Sequence, residues 1–211
     1  MSGPASSRQL LKRIIDTICL VSVAPCAWSC ALDGRNSEAI FAWWAQLFAI
    51  VPGLPGVFVR RAFYRLTLEN SSGSFFIAFG AIFSHRRTTI EDGVYVGAYA
   101  MVGAAILRRG CLIGSRAGII SGSALHDLDA SGRRKPTDLL QLRQVEIGED
   151  AWIGEGALVM ADVGRRATVA AGSVVSSAVL GGVVVAGNPA RFIRHVTPPA
   201  DQDEGRVSAA M

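Results

Sequence analysis

The sequence predicts an all-β fold, a parallel β-helix of hexapeptides, behind an apolar N-terminal extension. An aliphatic residue returns every six positions, and a glycine usually follows it, at Val96-Gly97, Val102-Gly103, Ile113-Gly114, Ile147-Gly148, Ile153-Gly154 and Val163-Gly164. The fourth residue after each aliphatic is small, except for Ile106. A period of six fits neither an α-helix nor a simple strand, and it is typical of hexapeptide β-helices.

The period also predicts how the coil is built. Three hexads would form one triangular coil of about 18 residues, and each coil would bury its apolar edge against its neighbours. The aliphatic and the small residue of each hexad then point inward. We expect the glycine to lie near a corner of the triangle, where a positive φ would strain other residues.

Residues 1–70 form the apolar extension. Lys12 and Arg13 precede a first apolar run, 14–32, and a second run, 39–59, carries no charge. Both runs are rich in helix-forming apolar residues, so we expect two helices.

The second run has predictable ends. Ser37 is placed to cap its N terminus, because a short hydroxyl side chain accepts bonds from the first free amides of a helix. The Val-Pro-Gly-Leu-Pro-Gly segment, 51–56, should end it, since proline interrupts the helical hydrogen-bond ladder. Such a helix is shorter than the ~20 residues that cross a bilayer.

Four interpretations of the extension stay open. Residues 14–61 could contact a membrane surface peripherally, with Trp28, Trp43 and Trp44 at the interface. The two helices could instead pack on the β-helix or on a neighbouring subunit. They could also form a two-span hairpin, or the first run could be a secretory signal.

The hexads define a β-helix over 75–195. The series beginning at Leu107 arrives one residue early, and the series at Val163 arrives two residues early. Between them the hexads stop, and 121–145 reads as a loop projecting from the coil. The segment 197–211 is rich in proline, charge and alanine, which predicts a disordered tail.

Composition restricts the class of partner. The 211 residues carry a formal net charge of +4, and no motif for nucleic acid is present, so we expect no nucleic-acid partner. The mean hydropathy is +0.35, and much of that excess lies in the extension. The four cysteines show no C-x-x-C spacing, which favours a reducing compartment.

His126 is the candidate general base. It follows Ser-Gly-Ser-Ala-Leu at the junction of the coil and the loop. An imidazole has an unperturbed pKa of about 6.5, so it can accept a proton near neutral pH. The alternative is a loop histidine without a role, and we expect His85 and His195 to be structural or at the surface.

Three segments resemble the hexapeptide-repeat acetyltransferases. They are 145–159 with Trp-Ile-Gly, 170–175 with Ala-Gly-Ser-Val-Val, and 186–194 with Gly-Asn-Pro-Ala-Arg. The resemblance covers roughly 75–195 and favours the sugar O-acetyltransferase branch, with the galactoside and maltose acetyltransferases. It implies a left-handed β-helix, a homotrimer with active sites between subunits, acetyl-CoA as acyl donor, and no metal.

The resemblance also implies roles for individual residues. His126 would take the proton of an acceptor hydroxyl, and a backbone N–H at the Gly154–Glu155 turn would hold the developing oxyanion. Trp152, Glu155 and Ala171 would line the pantetheine arm. Ser176 and Ser177 stand where relatives often carry Thr-Lys, and Arg191 and Arg194 would meet the CoA phosphates. We expect Arg165 and Arg166 to lie near this donor groove.

The expected function is acetyl-CoA-dependent O-acetylation of a sugar hydroxyl in polysaccharide or glycolipid biosynthesis. The expected location is the cytoplasm, at the inner face of the cell membrane. An acyltransferase for a non-glycan alcohol or amine is one alternative. A catalytically silent trimeric scaffold is the other.

Overall fold

A computed structural model describes residues 7–33, 37–121, 131–133, 139 and 142–196. In them three α-helices precede a β-helix of about five turns. Each coil turns through three short strands, which stack in parallel on the strands of the next coil. The all-β parallel β-helix predicted from the hexads is confirmed.

The three faces of the triangle are three sheets. Face A comprises β1 (Asn70–Ser71), β4 (Thr89–Ile90), β7 (Ala105–Leu107) and β10 (Val145–Ile147). Face B comprises β2 (Phe76–Ile77), β5 (Tyr95–Val96), β8 (Leu112–Ile113), β11 (Trp152–Ile153), β13 (Thr168–Val169), β15 (Val183–Ala186) and β16 (Arg191–His195), the last strand antiparallel to β15. Face C comprises β3 (Ile82–Phe83), β6 (Met101–Val102), β9 (Gly118–Ile119), β12 (Leu158–Val159) and β14 (Val174–Val175). We call the corners between faces edge AB (for example 148–151), edge BC (154–157) and edge CA (160–162).

The interior contains the residues that the hexads select. The second residue of each two-residue strand on faces B and C is a fully or almost fully buried aliphatic or Phe83. The small residues lie inside the corners, where Ala117, Ala157 and Ser173 are about 1% exposed. Ile106 breaks the pattern because edge CA is short before β7, so Ala105 and Leu107 point inward instead.

Glycine is required at the hexad positions for a different reason from the one expected. Their φ angles are not positive. A Cβ on Gly97 would lie 2.6 Å from the Ser115 nitrogen, and one on Gly154 would lie 2.5 Å from the Ala171 nitrogen. Close stacking of successive coils therefore requires glycine there. The positive φ falls two residues later, and Arg116 is one of the residues that adopt it.

The extension contains one more helix than expected. These helices are α1 (Ser7–Ser29, continued by a 3₁₀ turn at Cys30–Leu32), α2 (Ala39–Ala49) and α3 (Gly53–Thr67). The 51–56 segment ends α2 as predicted, but it also starts α3, because Pro55 lies in the first turn, where its missing N–H costs nothing.

The cap of α2 is also different. The two oxygens of the Asp33 carboxylate accept the amides of Ile40 and Phe41, at 2.9 and 3.1 Å. Ser37 accepts only the Ala39 amide, at 3.4 Å. Glu38 occupies the N-cap position without a capping side-chain bond. The predicted Ser37 cap is therefore wrong, because a charged acceptor brought back by the preceding turn is better placed.

Helices α2 and α3 pack on the first coil. Arg60 is completely buried, and its guanidinium donates to the carbonyl of Ile77 and to carbonyls at the C-terminal end of α2. The buried Tyr64 hydroxyl accepts the Phe83 amide at 3.2 Å. The uncharged second run is thus apolar because α2 joins the core of the β-helix.

The loop leaves and returns where the hexads stop and resume. β9 ends at Ile119 and β10 begins at Val145, and the coils to which these two strands belong are adjacent. Residues 122–130, including His126, lie outside the described residues, as does the predicted tail 197–211.

Candidate functional site

Edge BC brings together the positions expected at the pantetheine arm. Glu155 and Ala171 are stacked there on successive coils, and both are exposed. Trp152 lies just before this edge on the outer side of face B, where its side chain is 54% exposed. The three residues form one continuous surface, because β11 pairs directly with β13 and the corners follow the strands. We call it the Glu155 surface.

The amides at the Gly154–Glu155 turn are not equivalent. The Gly154 amide already donates to the Val169 carbonyl at 2.7 Å, as part of the ladder between coils. In the described part of the chain, the Glu155 amide has no such backbone acceptor. Glu155 is therefore the better candidate of the two for holding an oxyanion.

Arg116 lies beside Glu155 and carries the only other charge on this stretch of edge BC in the described residues. Its guanidinium is 2.5 Å from the Glu155 carboxylate, and both side chains are more than half exposed. The pair leaves Glu155 balanced in charge, so this part of the edge does not repel an anionic donor.

Arg191 and Arg194 stand on β16, at the end of face B. Each guanidinium donates to a carbonyl within one residue, Ala190 and His195 respectively, and both residues are exposed. Arginine side chains held only by neutral acceptors can still bind phosphate. They are the exposed cations of the last strand.

Ser176 and Ser177 lie on a different edge from Glu155. They follow β14 at edge CA and are exposed. The loop that contains His126 begins and ends at the same edge, two coils earlier. Its start is held by the Ser121 hydroxyl, which accepts the Ala104 amide at 2.6 Å. Its end is held by Arg143, which lies 2.8 Å from Asp162.

Edge CA and edge BC are separated by the width of face C. One side of the triangle comprises about six residues, or roughly 15–20 Å of extended chain. The loop ends and the Glu155 surface therefore lie on different edges of one chain.

A family model described as the hexapeptide repeat of succinyl-transferase matches residues 144–177. These are the coils that carry the Glu155 surface. The chain is therefore a hexapeptide-repeat protein over these coils.

Individual proteins are similar to parts of this chain. Over 77 residues, 36% of the chain, the hexapeptide-repeat protein is 36% identical to a Saccharomyces cerevisiae protein named "Putative acetyltransferase YJL218W", and it spans 38% of that relative. It shares its fold with a galactoside acetyltransferase solved with coenzyme A, at a TM-score of 0.54 and 15% identity, over 75% of this chain and 80% of that one. It is also similar to the acetyltransferase domain of PglB from Neisseria gonorrhoeae, at 24% identity and a TM-score of 0.45, over 60% of this chain and 55% of that one. The β-helix is left-handed, as the resemblance implied.

Two of the three histidines of the hexapeptide-repeat protein are described, and neither lies on the Glu155 surface. His85 Nδ1 is 2.8 Å from the Glu38 carboxylate, which also accepts the Arg86 amide at 2.8 Å. His85 therefore joins the extension to the first coil. His195 packs edge-on against Phe192 on β16.

Arg165 and Arg166 are not where we expected them. They lie at edge AB, one face away from Glu155, and Arg165 is 3.4 Å from Glu149. Arg165 borders a depression of about 400 Å³ on face A, which Arg108 and Glu146 also line. The two-residue shift in the hexads shortens edge CA, and this displaces the arginines along the coil without turning them toward edge BC.

The depression on face A is dominated by paired charges. Arg108 bridges Glu146 at 2.8 Å and Glu91 at 3.0 Å. The hydrogen bond from Arg108 holds the pKa of the Glu91 carboxyl below its usual range. No cluster of histidine, cysteine and carboxylate side chains suited to a metal occurs among the described residues.

Sequence reasoning missed two features of the hexapeptide-repeat protein. One is Arg116, which occupies an outward corner position that the hexad pattern leaves unconstrained. The other is a row of exposed apolar side chains on face B, one from each of four successive coils. It consists of Phe76, Tyr95, Leu112 and Trp152, which pair in register along the sheet. The available signal was an aromatic residue directly before the inward aliphatic in Phe76-Ile77, Tyr95-Val96 and Trp152-Ile153.

Proposed function

We propose that this protein is an acetyl-CoA-dependent O-acetyltransferase that acts on a sugar hydroxyl in polysaccharide or glycolipid biosynthesis. The observation that carries the proposal is the position of the hexapeptide match. Residues 144–177 are the coils whose edge BC presents Glu155 and Ala171 beside Trp152. We infer that the reaction takes place in the cytoplasm, at the inner face of the cell membrane, because acetyl-CoA is supplied there.

The donor would lie along edge BC. The pantetheine arm would follow Trp152, Glu155 and Ala171, and the phosphates would reach Arg191 or Arg194. Ser176 and Ser177 lie at edge CA, so they would contact only a donor that is bound along edge BC of a neighbouring subunit. The balanced Arg116–Glu155 pair leaves the surface free of net negative charge near an anionic donor.

The acceptor hydroxyl would attack the thioester carbonyl directly. As the new C–O bond forms, the hydroxyl proton passes to His126, and the Glu155 amide donates to the carbonyl oxygen that becomes the oxyanion. The C–S bond then breaks, and the proton leaves with the CoA sulfur as a thiol. General base catalysis of this kind is worth on the order of 10²–10⁴ in rate.

The geometry favours a site shared between subunits of a homotrimer. The loop with His126 is rooted at edge CA, whereas the donor surface lies at edge BC, and face C separates them. A neighbouring copy brings one edge to the other without any loop having to cross face C. The apolar row on face B, which includes Leu112 and Trp152, is the surface that subunit contact would cover.

Release of free thiol from acetyl-CoA in the presence of a panel of sugars tests the activity. Replacement of His126 by Ala should lower turnover at least 100-fold while the oligomeric mass and the melting temperature stay unchanged. His195→Ala is the matched control and should retain turnover. Undiminished turnover in the His126 variant would contradict the mechanism.

The same assay separates the alternatives. Preference for an amino sugar or a non-glycan alcohol over every sugar hydroxyl would reassign the acceptor. A wild-type protein that binds CoA, as measured by calorimetry, and releases no thiol with any acceptor would be a scaffold.

A further inference from the structure

Helix α1 is apolar on two opposite faces. Its inner face packs on α3, and three residues spaced seven apart mark it. Asp16 pairs with Arg61 of α3, and Val23 and Cys30 are buried. The inner face is therefore fixed to the body of the protein along most of the helix.

The outer face of α1 is a continuous apolar surface. It comprises Leu10, Leu11, Ile14, Ile18, Val21, Pro25 and Trp28, all exposed. The helical repeat of 3.6 residues places them on one side, and from Leu10 to Trp28 the row is about 27 Å long. A helix that is hydrophobic all round is normally buried, either in a core or in lipid. Here only 11% of the most apolar stretch is buried by the protein.

The polar groups at the margins of this face are satisfied within the helix. The Thr17 hydroxyl donates to the Arg13 carbonyl, and the Ser22 hydroxyl donates to the Ile18 carbonyl, each at 2.9 Å. Neither hydroxyl needs water, so the face can be dehydrated without leaving a donor unpaired.

The charges around the face have one sign. The carboxylate of α1, Asp16, is turned inward to Arg61, whereas Lys12 and Arg13 are exposed at the N-terminal end. At the other end Trp28 is 81% exposed. Basic residues beside an apolar face that carries tryptophan suit the boundary of an anionic bilayer.

We propose that the outer face of α1 binds the surface of an anionic lipid bilayer, with the helix lying in the plane of the membrane. By length and composition Leu10–Leu32 would also suffice to cross a bilayer. A crossing would, however, carry α3 with it, because α1 packs along α3 and the Asp16–Arg61 pair joins the two helices. Since α3 contains the buried Arg60 and packs on the first coil, only an in-plane helix leaves the fold intact.

Lipid fits this face better than a second copy of the chain. A helix–helix seam is usually flanked by charges of both signs that select the partner. The exposed margin of α1 offers Arg13, whereas Lys12 lies one turn before Asp16 on the side toward Arg61, and the acid of the helix is already paired inward. Two such faces would place like charges together if they met in parallel.

Flotation of the full-length protein with vesicles tests the proposal. We expect the wild type to float with phosphatidylglycerol-containing vesicles and to bind phosphatidylcholine vesicles less. Ile18→Glu and Val21→Glu should each lower the bound fraction about tenfold, because they charge the outer face. Leu180→Glu is the matched control: Leu180 is 79% exposed on the β-helix, and its replacement should leave binding unchanged.

Depth measurements distinguish an in-plane helix from a crossing one. A tryptophan introduced at Val21, near the middle of α1, should be quenched by lipids brominated near the headgroup. Quenching by lipids brominated at the chain ends would mean that α1 crosses the bilayer, and the proposal would be wrong.

Two further results would overturn it. The first is a wild type that fails to float, or glutamate variants that float as well as the wild type. The second is an oligomeric mass that, in the absence of lipid, is lower for the Val21→Glu variant than for the wild type. A second copy of the chain would then cover the face. None of these measurements depends on acetyltransferase activity.

Discussion

Arg116 and Glu155 form an ion pair of 2.5 Å between neighbouring coils, although 39 positions separate them in the sequence. The pair lies at the corner where we propose that the pantetheine arm of the donor binds. Its net charge near zero is a property of the stacked coils, since no local segment contains both residues.

Replacement of Arg116 by Gln should weaken CoA binding about two- to fivefold, because it leaves an uncompensated carboxylate beside an anionic ligand. Calorimetric titration with CoA measures this effect. Arg165→Gln removes a comparable exposed arginine paired with Glu149 at edge AB and should leave CoA affinity unchanged. Glu155→Gln should not weaken binding, and a loss of affinity in that variant would argue against the electrostatic explanation.

Replacement of Gly97 by Ala should destabilise the protein by about 2–4 kcal/mol, because its Cβ would lie 2.6 Å from the Ser115 nitrogen of the next coil. Gly182→Ala is the contrasting variant. Its φ is +69° and nothing lies within 4 Å of its added Cβ, so only backbone strain of about 1 kcal/mol is expected. Denaturant unfolding compares the two. An equal loss in both variants would contradict the explanation that close stacking selects the hexad glycines.

Replacement of Arg60 by Met should lower the free energy of unfolding by about 3 kcal/mol or more, although it removes a buried cation. The guanidinium donates to the carbonyls of Val51 and Ile77 at 2.7 and 3.1 Å, and those two acceptors would be left unpaired in a dry site. Arg65→Met, at an exposed position of the same helix, should change the free energy of unfolding by less than about 0.5 kcal/mol. Thermal unfolding that barely distinguishes the two variants would contradict this account of Arg60.

The Cys111 thiol should be unreactive in the folded protein. Burial, aided by the nearby Glu91 carboxylate, raises its pKa from 9.0 to about 12. Because the raised pKa favours the protonated folded state, this contribution to stability is complete below pH 9 and is lost as the pH rises toward 12. In a Cys19→Ser, Cys26→Ser, Cys30→Ser background, Ellman's reagent at pH 8 should label Cys111 only when the chain is unfolded. Fast labelling under native conditions would show that the thiol is accessible.

The hexads predicted the β-helix, its buried residues and the point at which the loop departs. They could do so because burial acts on every inward position alike, so the same residue types recur each time the chain turns. The early arrival of Leu107 and Val163 corresponds in the structure to two short corners at edge CA. Outward positions lack this constraint, and Arg116 left no periodic signal.

The extension was harder to predict for a related reason. Its hydropathy indicated apolar helices but not their partners. The structure shows that α2 joins the core of the β-helix, that Asp33 caps it, and that 51–56 opens a third helix. The packing of the helices on the β-helix depends on contacts between segments that are distant in sequence, such as Arg60 with Ile77 or Glu38 with His85.

The sequence by itself thus determined the repeating coil, because every hexad satisfies the same local requirement for an inward aliphatic and a small corner residue. Only the tertiary structure decided which corner residues become neighbours. Stacking put Glu155 and Arg116 on edge BC, left Ser176 and Arg165 on other edges, and turned one apolar face of α1 outward. The physical reason is that side chains outside the core acquire partners only when the coils and helices pack.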